Sequence, residues 1–128
     1  MNRIVVAAVI KNEKGQVLAV HLNKEKPEGV WVMPGGKLEK EENARDCVIR
    51  EAREELGIEI KPIKIVGISE VDYLNGNVWV FIYYLSKLVS GTPIPQEENK
   101  TLETKYIDIK DLNAADQIVW FEGVKYGS

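Results

Sequence analysis

Three glutamates within five residues, Glu51, Glu54 and Glu55, directly follow Arg50 in the run ARDCVIREAREELGI. At about 100° per residue on a helix, the three carboxylates share an arc of roughly 100°. Like charges that close repel one another unless a cation sits among them. Mg2+ is a hard cation that takes octahedral oxygen ligands, commonly a few carboxylates with water and phosphate oxygens completing the shell. Held this way, it neutralises phosphate charge and activates water, the two needs of phosphoanhydride hydrolysis. The competing reading is a solvated acidic face, the usual fate of a charge run. Such a face tends to oppose Glu with Lys at i and i+4. Here Glu51 and Glu55 stand at that spacing from each other.

These residues need a helix and something to hold it. Asn43 to Leu56 has good helix formers, acidic residues near its start and Gly57 at the expected C-terminal position. Ala44, Cys47, Val48, Ala52 and Leu56 recur at helical spacing and should face a sheet. Just ahead, Pro34-Gly35-Gly36 reads as a turn whose glycines let backbone approach a metal or phosphate closely. Ile4 to Ile10 suits a buried strand, with Val17 to Leu22 its hairpin return, and Val30 to Met33 is a short strand. Ile63 to Val71 and Val78 to Leu85 should form a hairpin about Asn75-Gly76. Ser90 to Lys100 reads as a loop and Lys105 to Ile109 as a last strand. Asp111 is placed to cap a short helix over Leu112 to Asp116, and the tail from Ile118 to Val124, with Trp120 and Phe121, should dock on the body. The pattern is mixed α/β, a sheet covered by helices, in one domain over residues 1–128.

Gly36, Glu42, Arg50, Glu51, Glu54, Glu55 and Gly57 stand in a fixed pattern with Ala52 and Ile58. At residue frequencies of roughly 7%, seven such matches arise by chance on the order of 10⁻⁸ per starting point. The pattern resembles the Nudix box, the signature of enzymes that hydrolyse a nucleoside diphosphate linked to another group. Ala52 is smaller than the usual residue there, which concerns packing rather than chemistry. The resemblance implies an α/β/α sandwich around a mixed β-sheet, with the box forming a loop, a helix and a second loop. It implies that Glu51, Glu54 and Glu55 bind Mg2+, or Mn2+, and that the Gly36 carbonyl adds a ligand. Arg50 would pair with the carboxylates and fix their orientation, and Glu42 would support the loop. A carboxylate on a later loop commonly completes the site or serves as base. Glu97, Glu98 and Glu103 are the candidates; spacing does not separate them, and Glu98 is the working assignment.

For the rest of a substrate, strand alternation puts Trp79, Phe81 and Tyr83 on one face, where an aromatic surface can stack a nucleobase. Core packing is the competing explanation for most of them. Tyr73 is a further candidate, and Lys37, directly after Gly36, is the lysine best placed for a phosphate. His21 reads as an exposed or satisfied histidine and Cys47 as a small buried hydrophobe.

Composition narrows the partners. A net charge of −3 offers no broad surface for duplex nucleic acid or an anionic membrane. No apolar run approaches membrane-spanning length, and no signal peptide is evident. One cysteine excludes an internal disulfide and fits a reducing, cytoplasmic setting. The expected partner is a small nucleotide, and small family members often form homodimers. The expected activity is Mg2+-dependent conversion of a (deoxy)nucleoside triphosphate, damaged ones included, to monophosphate and pyrophosphate. Hydrolysis of ADP-ribose or of dinucleoside polyphosphates, the latter favoured by a tyrosine near position 73, is an alternative. A non-catalytic nucleotide-sensing module is another, though such modules tend to lose the carboxylates kept here. A ligand-free scaffold would explain the apolar pattern but not the glycine and carboxylate spacing.

Overall fold

The β-branched run near the start of the chain becomes an inner strand of the larger sheet. In the computed structural model, which describes residues 3–22, 30–73, 76–97, 101–121 and 123, Ile4–Val9 forms strand β1. It is followed by β2 (Val17–Leu22), β3 (Val30–Val32), β4 (Gly35–Lys37), helix α1 (Ala44–Leu56), β5 (Glu59–Tyr73), β6 (Asn77–Ser90), β7 (Thr101–Ile107) and β8 (Val119–Trp120). A mixed five-stranded sheet has the order β4-β1-β6-β5-β8, with β1 parallel to β6 and the other pairs antiparallel. A three-stranded antiparallel sheet runs β3-β2-β7.

Alternation along β1 divides the core in two. Val6, Ala8 and Ile10 face α1 and pack with Cys47, Val48, Ala52 and Leu56 from its buried stripe. Ala7 and Val9 face the other way, toward Val66, Tyr83, Ile107, Ile109 and Leu112. Each large side chain so buried stabilises the fold by about 1.5–3 kcal/mol. The layers are therefore α1, the sheets, and a cover of two 3-10 turns, Ile109–Asp111 and Ala115–Gln117.

Several local expectations are corrected. Pro34-Gly35-Gly36 does not only turn the chain; Gly35 and Gly36 enter β4 beside β1. The approach is close enough that a Cβ on Gly35 would lie 2.2 Å from the Val6 carbonyl oxygen. β2 returns beside β1 only at the Lys11–Val17 bridge and then leaves for the second sheet, so the expected hairpin opens at once. β5 extends over 15 residues and includes Pro62, accommodated at a register shift between Pro62 and Lys64. The last long strand begins earlier than expected, at Thr101. No α-helix runs through Leu112 to Asp116: Ala114 takes a left-handed φ of 57°, and the Asn113 N–H is donated to the Trp31 carbonyl. The tail does dock: Trp120 pairs with Gly67 in β8 while Phe121 stays exposed. Asn75 and Val124 lie outside the described residues.

Candidate active site

The helix carrying the glutamates is fixed at both ends. The Asn43 side chain accepts from the Asp46 N–H at 2.8 Å, satisfying one of the free donors at the helix start. Gly57 closes the helix in the left-handed conformation at φ 67°, its N–H meeting the Ala52 and Arg53 carbonyls. Beyond it the chain returns across the same end: Ile94 N–H donates to the Leu56 carbonyl and Gln96 N–H to the Glu55 carbonyl.

Arg50 is the hub of the site. Its Nε and Nη2 grip the two oxygens of Glu42 at 2.7 and 3.0 Å, a bidentate pair. Its Nη1 reaches Glu51 at 2.8 Å and Glu54 at 3.1 Å, and its Nη2 reaches the Lys37 carbonyl at 3.2 Å. These hydrogen bonds lower the Glu42 carboxyl pKa to about 2 and raise that of the guanidinium. Glu42 in turn accepts from the Glu39 N–H, which shapes the loop ahead of α1.

Glu51 is far more enclosed than Glu54 and lies against Gly36. Burial raises its pKa; Arg50 opposes the rise, while Glu54 and Glu97 add to it. Glu55 accepts from the Gly35 N–H at 3.3 Å. Glu54 stays half-exposed on the outer side of Arg50. Cys47 sits beneath, its thiol against the Gly36 and Lys37 carbonyls at 3.7 and 3.6 Å; burial pushes its pKa up to about 12, so it is an inert packing group.

Among the later carboxylates, Glu97 belongs to this field, since its charge is felt at Glu51. Glu103 does not: it stands on β7 opposite His21, 3.9 Å from Nδ1, where His21 also stacks on Trp31. Glu98 lies outside the described residues.

On the other face of β4 a cleft of about 340 Å3 opens between the sheets, with Gly35 in its wall. Phe81 and Tyr83 line it, as the alternation along β6 implied. Trp79 lies one step further along the same face and carries the Lys37 ammonium over its ring, 5.1 Å from the centroid. Tyr73 ends β5, its side chain outside what is described. Ser69 and Asn113 also line the cleft. Neither belongs to a motif; only the β5–β6 register and the 3-10 turns bring them there.

The NUDIX domain family model matches residues 1–123. This chain belongs to the NUDIX domain family. Among solved structures, the MutT NUDIX hydrolase of Burkholderia pseudomallei superposes with a TM-score of 0.77 and 28% identity, over 91% of this chain and 98% of that one. The 8-oxo-dGDP phosphatase NUDT18 of Danio rerio is 31% identical over 128 residues, 95% of this chain but 38% of its own length. The CTP pyrophosphohydrolase of Escherichia coli is 44% identical over 55 residues, 43% of this chain and 41% of that protein. The chain thus spans well under half the length of the Danio rerio relative. Characterised family members act on phosphoanhydride bonds, and Nudix hydrolases generally use divalent metal ions. Among the described residues no helix is long and apolar enough to cross a membrane.

The Nudix box of this chain fits such an ion by its donors. It offers hard carboxylate oxygens and the Gly36 carbonyl, against which the Cys47 thiol rests at 3.7 Å. Four carboxylates, Glu39, Glu42, Glu51 and Glu54, crowd the Arg50 guanidinium, so a cation would relieve repulsion that burial sharpens at Glu51. The carboxylates are not yet gathered: among the described residues no three His, Cys, Asp or Glu side chains form a ready cage. Arg50 and the Gly35 N–H hold their oxygens instead, and re-aiming the flexible Glu54 and Glu55 side chains is what binding asks of the site.

Proposed function

We propose that this chain is a divalent-metal-dependent pyrophosphohydrolase acting on a nucleoside diphosphate linked to a further group. A (deoxy)nucleoside triphosphate is the favoured substrate, giving monophosphate and pyrophosphate. The observation that carries this reading is Glu51, enclosed against Gly36 and within reach of the charges of Glu54 and Glu97, beside a cleft whose described lining is uncharged. Support for a nucleotide comes from relatives whose names specify 8-oxo-dGDP and CTP.

Glu51, Glu54, Glu55 and the Gly36 carbonyl are the groups that would hold Mg2+ or Mn2+. The ion, when bound, supplies charge neutralisation on phosphate oxygens and a more acidic water. Arg50 keeps the enclosed Glu51 aimed, so its orientation is set before substrate arrives. Glu97 is the loop carboxylate to take the proton of the attacking water. The base enters the cleft against Phe81 and Tyr83, while Lys37, held over Trp79, faces the phosphate chain at its mouth.

The test is product chromatography after incubation with Mg2+ and a panel of nucleoside triphosphates, oxidised nucleotides, ADP-ribose and diadenosine polyphosphates. Monophosphate should form from a triphosphate, stop with EDTA, and fall by several powers of ten in Glu55→Gln. Wild-type turnover in that variant would sink the metal-site assignment. Mg2+ binding with no cleavage of any compound would favour a sensing module instead.

A further inference from the structure

Inside the cleft, no lining side chain among the described residues carries charge at neutral pH. Among those described residues, hydrogen-bonding side chains come from Ser69, Tyr83 and Asn113. The Ser69 Oγ and the Tyr83 hydroxyl are 2.8 Å apart, and either can be the donor. Both residues are buried, at 4% and 8% exposure, in a wall otherwise made of Val71, Phe81 and similar apolar groups. Tyr83 is held in place by Trp120, whose ring centroid is 5.8 Å away and which itself packs on Gly67. Two hydroxyls fixed in contact on an apolar wall constrain what that wall can accept.

We infer that the Ser69–Tyr83 hydroxyl pair is a specificity element of the cleft that lets it hold a neutral planar base through either an oxo or an amino edge. The inference rests on the cleft being the base site. A hydroxyl has one proton and two lone pairs, and its proton rotates to suit its partners. Facing an oxo group, Tyr83 donates to Ser69 and Ser69 donates to the base. Facing an amino group, Ser69 accepts from the base and donates to Tyr83, whose own proton turns out into the cleft that Tyr83 lines. The direction reverses with no heavy atom moving, so neither edge leaves the Ser69 proton buried without an acceptor. A site built around a one-way donor would instead reject the wrong edge strongly.

Inosine and adenosine 5′-monophosphates, which differ in an oxo against an amino group at one ring position, separate these cases by calorimetric titration of the full chain. Wild type should bind both within about threefold of each other. In Tyr83→Phe, Ser69 accepting from an amino group must bury its own proton unpaired, so adenosine monophosphate should weaken roughly tenfold and inosine monophosphate much less. In Ser69→Ala both should weaken together. With the triphosphates the same selectivity should appear in KM with kcat unchanged, a split that general damage to the fold would not produce. A ratio unmoved in Tyr83→Phe, with wild type binding both, overturns the hydroxyl-pair assignment alone. Wild type binding neither monophosphate overturns the base-cleft reading and this inference with it.

Discussion

The Glu51 carboxylate lies against the α-carbon of Gly36, so near that a Cβ there would stand 2.3 Å from Cδ and 2.5 Å from each oxygen. Gly36→Ala must push that carboxylate aside. The end of a glutamate is flexible, but this one is enclosed and tied to Arg50 at 2.8 Å, so moving it costs that bond. Stability should fall by only about 1 kcal/mol. Turnover should fall 100-fold or more, because a displacement of about 1 Å at a positioned group is enough for that. Steady-state kinetics beside a urea titration checks both; wild-type kcat in a folded Gly36→Ala protein would mean that Glu51 need not sit where it does.

The neighbouring glycine should fail differently. A Cβ on Gly35 would meet backbone, 2.2 Å from the Val6 oxygen and 2.7 Å from the Ala7 α-carbon. Nothing there can swing away, so β4 would have to separate from β1. Gly35→Ala should cost more than about 3 kcal/mol, visible as a large drop in urea midpoint. A Gly35→Ala protein as stable as Gly36→Ala would mean that β4 yields more easily than its pairing implies.

Signals that act over a few residues were legible in the sequence, and signals set by strand register were not. Asn43 and Gly57 mark the helix to within a residue because capping is local. The faces of β6 were readable from alternation, so Phe81 and Tyr83 fall in the cleft, but alternation carries no depth, and Trp79 instead meets Lys37. Ser69 and Asn113 belong to no motif; a register shift between Ile65 and Gly67 and a left-handed Ala114 bring them to the cleft wall. The departure of β2 into a second sheet depends on partners far along the chain, which is why the hairpin reading stopped at Val17. The helix expected over Leu112 to Asp116 fails because propensity says nothing of the Trp31 carbonyl that takes the Asn113 N–H.

Glu42 makes an acid-sensitive contribution to stability. Its hydrogen bonds from Arg50 lower its pKa from 4.5 to about 2. Between those values the folded chain binds fewer protons than the unfolded one, so this stability is complete above 4.5 and disappears as pH falls toward 2. Its size is at most on the order of 3 kcal/mol. The unfolding free energies of wild type and Glu42→Gln should therefore differ most near neutral pH and converge in strong acid. Denaturant titrations at several pH values check this, and a constant gap would separate Glu42 from the effect.

Glu51 has the opposite sign. Burial raises its pKa, so the stability linked to it is present below 4.5 and lost as pH rises through the folded value. At neutral pH its ionised form is a standing cost that Arg50 only partly offsets. Without divalent cations, Glu51→Gln should melt at or above the wild-type temperature, the difference closing as pH falls. Added Mg2+ should raise the melting temperature of wild type but not of the variant, since only a site that binds the ion gains by mass action. A Glu51→Gln protein that is less stable and still responds to Mg2+ would move the ion elsewhere.

Glu97 and Glu103 are separated by where the chain takes them. Hydrogen bonds from Ile94 and Gln96 to the end of α1 carry the loop past the helix carboxylates, and the charge of Glu97 reaches Glu51. Glu103 has 58% of its side chain exposed and faces His21 across two strands. Removing a proton acceptor from the attacking water typically costs 10²–10⁴-fold in rate, while losing an exposed ion pair costs little. Glu97→Gln should therefore reduce kcat by at least about 100-fold with KM nearly unchanged. Glu103→Gln should leave both constants within about twofold. Full activity in Glu97→Gln would take the proton-accepting role away from Glu97 and return it to Glu98, and strong loss in Glu103→Gln would move it to Glu103.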